Sequence, residues 1–388
     1  MINAQAARIC NVIPAFSIET NRGRDVKVAV MTSLPLHEFH RAAGAVFGEV
    51  NGQEVVAHYG DWLAEYEALR AGAGILDLSF RGRLCVLGAD AQRFLNGQVT
   101  NNVKDLQIGE GCYAALVSAK GRLHSDLNIY RLENEMLLDF EPGLSASVAQ
   151  RLEKFVIAED AQVIDAAAQY GLWSAQGPKA VEVVGSLSPR FLLPPKAMGW
   201  TKVAEAAPGD IYLTSLSRLR GQGLDLFVPA DAMKEVAARL LARGGRLCGW
   251  QALETARIEA GVPRFGADMD ETNLAPEALD TRAISYTKGC YIGQEVIARI
   301  RTYGQVAKSL RGLRLAGDAP EAPARGAKLF LGDKEVGSIT SAMWSPALRA
   351  LIALGYVRRE ANQTGTELEV RTAGGKVPAR IVDLPFEP

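Results

Sequence analysis

Near residue 316 the pattern of apolar residues changes character. On the carboxy-terminal side, short runs of strand period follow one another: KLFL, EVGSITSA, LIALGYV, TELEVRT and KVPARIVDL. Gly332–Asp333 and Gly374–Gly375 are hairpin signals between them. Successive short strands without a helical stretch point to a small closed or nearly closed β-barrel, since closure removes exposed edges. The Pro-, Ala- and Gly-rich segment AGDAPEAPARG, Ala316–Gly326, reads as a connection.

On the amino-terminal side strands and helices mix. ILDLS (Ile75–Ser79) and RLCVLG (Arg83–Gly88) have strand character. Asp90 is placed to cap a helix over AQRFLNG, with Gly97 as its stop. CYAALVS and SDLNIYRL form a strand pair around the polar turn AKGR, and SVAQRLEKFVI is an amphipathic helix. The same flavour returns between Asp210 and Arg243 as IYLTSL, LDLFVP and the helix DAMKEVAARLLAR. The expected fold class is therefore α+β, a pseudo-repeat of two ferredoxin-like parts followed by a barrel. The expected division is an extension over 1–34, two interleaved parts over 35–304, and the barrel over 305–388.

Composition narrows the function classes. The 388 residues carry a formal net charge of −1, so nothing global favours nucleic acid or an anionic membrane as partner. The five cysteines are scattered without a C-x-x-C pair, which argues against a disulfide framework or a zinc site. No metal site is expected. The first 30 residues lack the order of a signal peptide, Met31 is an alternative start, and no apolar run suits a membrane span. The expected location is the cytoplasm. P-loop, G-x-G-x-x-G, H-E-x-x-H and G-x-S-x-G patterns are all absent. His37 and His40 belong to a helix near the amino terminus.

Three places carry candidate chemistry. Asp126 interrupts an apolar strand. It either alternates outward or lies inward, where it needs a partner such as the N–H groups of a heterocycle. Arg257 lies on the small-residue face of the helix GWQALETARIEAG, where it either snorkels or pairs with an anion. The stretch KGCYIGQEV (Lys288–Val296) sets Cys290 beside Lys288 and between two glycines. From Lys288 to Lys308, four cations (Lys288, Arg299, Arg301 and Lys308) face one acid, Glu295, making a local anion-attracting patch of +3. Lys288 would lower the thiol's pKa, whereas a buried structural cysteine is the plainer reading.

The helix sequence GWQALETARIEAGVPRFGADMDETNLAPEAL and the following ISYTKGCYIGQEV resemble the tetrahydrofolate-binding T-protein superfamily. K-G-C-Y-x-G-Q-E resembles the signature of its YgfZ-type folate-binding branch, whose relatives act in iron–sulfur protein maturation. The resemblance implies a three-lobed arrangement with tetrahydrofolate or a folate derivative at its centre. It also implies iron–sulfur client or assembly proteins as partners, and Cys290 as the catalytic thiol. Folate contacts are implied for Asp126, Arg257, Lys288, Tyr291, Gln294 and Glu295. The alternative is a tetrahydrofolate-dependent aminomethyltransferase of the glycine-cleavage type. In that branch a G-x-x-D-D-L stretch supplies an aspartate for methylene transfer. Here it reads Leu123-His124-Ser125-Asp126-Leu127, with one acid replaced by Ser125. The branch's pterin-binding glutamate has no counterpart in the matching stretch Arg220–Leu226.

Overall fold

A computed structural model describes residues 31–204, 209–279, 281–304, 306–316, 321–372 and 375–387. Most of the expected amino-terminal extension, part of the 316–326 connection and Gly374 lie outside these residues.

The pseudo-repeat is real, and each copy has one strand more than expected. In the first copy the order is strand Gly82–Leu87, helix Ala91–Gln98, strands Glu110–Val117, Leu123–Arg131 and Glu135–Phe140, helix Ser145–Glu153 and strand Gln162–Asp165. The second copy repeats this β-α-β-β-β-α-β order. It runs through strand Tyr170–Gln176, helix Ala180–Gly185, three strands from Trp200 to Pro229, helix Met233–Ala242 and strand Arg246–Leu247. The five strands of the first sheet are antiparallel throughout. In the second sheet an earlier strand, Gly74–Asp77, is inserted between Tyr170–Gln176 and Arg246–Leu247. This insertion interleaves the two copies.

Alternation along each strand decides what lies between the sheets. Leu127 and Ile129 of the first sheet pack with Phe94, Leu95, Val148 and Leu152 of its two helices. Leu224, Leu226 and Val228 of the second pack likewise with Val183, Val184, Val236 and Leu240. The opposite faces meet each other: Tyr130 and Leu137 share a cluster with Leu172 and Phe227. Tyr130 and Phe227 meet edge-on with ring centroids 6.2 Å apart. The helix Trp250–Glu259 closes this interface and touches the barrel through Ile258, which packs with Ile352, Leu354 and Phe386.

Lys308–Leu315, Ala350–Arg358, Lys334–Ser345, Lys328–Leu331, Glu367–Thr372 and Gly375–Val382 form a closed six-stranded barrel in that order. Gly332 turns the hairpin with φ 60°, the left-handed conformation glycine adopts without strain. One local expectation fails. The helix runs through Gly97 to Gln98, and the Asp90 carboxylate accepts from the Asp160 N–H and the Arg93 side chain rather than from a backbone N–H of the helix's first turn. Among the described residues no helix is long and apolar enough to cross a membrane.

Candidate functional site

Asp126 belongs to the inward face. Ser125, Leu127 and Ile129 point to the helices, so Asp126, Asn128 and Tyr130 point between the sheets. On the neighbouring strand Tyr113 lies opposite Asn128 and Ala115 opposite Asp126. The Tyr113 hydroxyl therefore reaches along the same face and donates to Asp126 Oδ2 at 2.8 Å. The other carboxylate oxygen, Oδ1, is shielded from solvent and has no hydrogen-bond partner among the described residues. Burial, and then the nearby Glu141 charge, push the Asp126 carboxyl up to about 6. Burial, with Asp126 adjacent, also raises the Tyr113 hydroxyl well above its ordinary value. Ser125 is turned away by strand alternation, its hydroxyl donating to the Asp126 carbonyl at 2.9 Å.

Beside Asp126 runs a chain of nine charged side chains of alternating sign. In order it is Asp225, Arg218, Asp139, Arg81, Glu141, Arg264, Glu254, Arg257 and Asp268. The seven contacts from Asp225 to Arg257 span 2.5–3.0 Å. Arg257 continues to Asp268, which accepts from the barrel hydroxyls Thr340 Oγ1 at 2.6 Å and Ser341 Oγ at 2.7 Å. Burial opposes ionisation of Glu254 and Asp139, and the guanidiniums overcome it; at Asp225 burial outweighs Arg218 and the carboxyl is raised. Arg257 and Arg264 bring Glu254 down to about 2, and Arg218 and Arg81 hold Asp139 well below the carboxylate range. Asp126 makes no such ion pair among the described residues. The site thus sets ion-paired acids beside Asp126, an acid of raised pKa that has, among the described residues, no ion pair and one oxygen without a partner.

The other sequence candidates occupy different positions. Arg257 is buried and paired, as one of its two readings requires. Its guanidinium is occupied by Glu254, Asp268, Ser341 and the Val262 carbonyl, so no N–H group remains for a folate carboxylate. Lys288 donates all three of its N–H bonds to the carbonyls of Asn96 (2.6 Å), Val99 (2.8 Å) and Asn101 (2.6 Å), which closes the end of helix Ala91–Gln98. Burial pulls this lysine down to about 8, opposed by the charge of Cys112. Tyr291 is in the core with Val117, Leu123, Phe265 and Ile297, with the Lys288 ammonium 4.9 Å from its ring centroid. A stacking role for Tyr291 and a carboxylate-binding role for Lys288 therefore give way to packing and capping. Cys290 is exposed. Gln294 and Glu295 begin the helix Gln294–Tyr303, the first half-buried and the second exposed.

The sequence reading missed Tyr113, Arg81, Asp139, Arg218 and Asp225. Isolated charges inside apolar strands, as in LLDF and LDLF, were the available signal.

Two sheets with a buried chain of ion pairs between them, packed through the helix Trp250–Glu259 on a six-stranded barrel, define a T-protein fold. Residues 36–288 match the GCVT N-terminal domain, and residues 308–387 match the glycine cleavage T-protein C-terminal barrel domain, so the chain belongs to the glycine cleavage T-protein family. It is 31% identical to the aminomethyltransferase of Saccharopolyspora erythraea, covering 91% of this chain and 97% of that one. The aminomethyltransferase of Thermosynechococcus vestitus is 30% identical, with 91% and 94% covered. Glycine cleavage system aminomethyltransferase T from Bartonella henselae superposes with a TM-score of 0.83 at 26% identity, over 92% and 98% of the two chains.

These findings overturn the iron–sulfur reading. The likeness of KGCYIGQEV to the YgfZ-type signature rests on nine residues, whereas the aminomethyltransferase likeness spans nine-tenths of the chain. The geometry supplies a plain reason for the motif: its lysine holds the end of a neighbouring helix and its tyrosine packs in the core.

Proposed function

We propose that this protein is a tetrahydrofolate-dependent aminomethyltransferase working in the cytoplasm, with Asp126 as the central acid of its site. The observation that carries this reading is the unpartnered Asp126 Oδ1. A buried acceptor without a donor is costly unless a ligand supplies one. An N–H edge of a pterin is such a donor, so the residues fit the group. Tetrahydrofolate would supply the amine that accepts the one-carbon unit.

The chain's own residues would do the rest. Tyr113 fixes the Asp126 carboxylate by holding Oδ2, leaving Oδ1 to accept a bond or a proton. With its pKa raised to about 6, Asp126 is ionised at neutral pH yet a better base than an exposed aspartate. The matched charges of Arg81, Asp139 and Glu141 keep the surrounding wall rigid while the site excludes water.

The test is a transfer assay with an aminomethyl-loaded lipoyl carrier and tetrahydrofolate, following methylenetetrahydrofolate and ammonia together. The expected result is stoichiometric formation of both, lost in Asp126→Asn. Absence of turnover with every lipoyl carrier tried would refute the proposal.

A further inference from the structure

The basic patch noticed in the sequence has a use other than the one first suggested by Cys290. Its Arg301 lines a cavity of about 460 Å³ between helix Gln294–Tyr303, strand Lys308–Leu315 and the short helix Arg359–Ala361. Arg311 and Arg359 share the lining, along with Thr281, Tyr286 and Asn362, and among the described residues no Asp or Glu does. None of the three guanidiniums makes an ion pair or side-chain hydrogen bond among the described residues. Arg311 Nε is shielded from solvent and has no acceptor among the described residues. Arg301 is held over the Tyr286 ring, 4.2 Å from its centroid, which fixes its position without neutralising it.

The centre of the molecule is arranged differently. There, each of four arginines is matched by carboxylates. Here three are gathered from three elements around one opening and left unmatched. Like charges placed together repel, and a buried N–H without an acceptor adds to the cost. An anion would relieve both at once, and guanidiniums suit planar carboxylates and phosphates. The volume falls in the range of small-ligand sites.

We propose that this cavity binds a small polyvalent oxyanion, through chemistry shared by the carboxylates of an extended γ-glutamyl chain and by free phosphates. The first source, a tail carried by a folate acceptor, rests on the transferase reading above; the second does not.

Calorimetry on the full chain at low salt, with tri-γ-glutamate and separately with inorganic pyrophosphate, tests the proposal. The variants are Arg311→Gln and the surface double variant Arg301→Gln/Arg359→Gln, each checked for unchanged thermal melting. The expected result is saturable one-to-one binding of at least one probe, weakened about tenfold or more in both variants. Binding of the peptide alone identifies a tail site, binding of pyrophosphate alone a free oxyanion site, and binding of both the shared chemistry. Should neither probe saturate, or a folded variant bind as tightly as the parent, the proposal is wrong. Anion binding that survives alongside failed aminomethyl transfer would count against the transferase reading only.

Discussion

At Asp126 stability and chemistry pull in opposite directions. Its carboxyl sits at about 6 in the fold against an ordinary 3.8, so the folded state disfavours the charged form. Its contribution to stability is complete below pH 3.8 and is lost as pH rises through about 6. Asp126→Asn, neutral at every pH, should then be more stable than the parent by about 3 kcal/mol at pH 7.5, with the difference vanishing below pH 4. Denaturant titrations across that range check it. The same substitution should lower transfer by about a hundredfold or more, and the parent's rate should rise with pH through about 6. A variant that lost activity and stability together would point to a merely structural aspartate. Cys290 is the counter-case. Its side chain is exposed, so Cys290→Ser should leave transfer rate and melting within about 0.5 kcal/mol of the parent.

Among the elements, the segment KGCYIGQEV is a clamp. Gly293 caps the helix Gln294–Tyr303 with φ 85°, and a Cβ there would stand 2.5 Å from the Ser118 carbonyl oxygen. Gly289, four residues earlier, has nothing within 4 Å of an added Cβ. Gly293→Ala should cost about 2 kcal/mol or more and Gly289→Ala no more than about 0.5, measured as a pair by thermal unfolding. Lys288→Met should cost about 2–4 kcal/mol, because it leaves the carbonyls of Asn96, Val99 and Asn101 without their donor. Helix Ala91–Gln98 would then lose amide protection in hydrogen exchange before the rest of its sheet.

On the scale of the whole molecule, the charge chain ties three units together. Asp225 and Arg218 come from the second sheet and its adjoining loop, Asp139 from the first, and Arg257 from the closing helix. Asp268 hands the chain to the barrel through Thr340 and Ser341. Arg257→Met should destabilise the protein by about 3–5 kcal/mol, since Asp268 would stay buried without its cation. Two-probe denaturation, with one probe in the barrel, should show the barrel signal separating from the rest. If the two transitions stay coincident at an unchanged midpoint, the chain does not couple the units.

Much of the fold was legible along the chain. The barrel strands announce themselves by period and by Gly332, and the strand pair around AKGR by alternation, because these are short-range patterns. The insertion of Gly74–Asp77 into the second sheet is a pairing across about a hundred residues, which no local pattern carries. The site divides in the same way. An isolated aspartate at 126 and an arginine at 257 were visible as residues out of place. Which of them keeps a free polar atom was decided by packing. Arg257 met Glu254 and Asp268, Lys288 met three carbonyls, and the Asp126 carboxylate met, among the described residues, the Tyr113 hydroxyl alone. The sequence by itself determined the two kinds of architecture and the supply of buried charges. Only the tertiary structure decided which charges cancel, because cancellation depends on distances of about 3 Å between groups far apart in the chain.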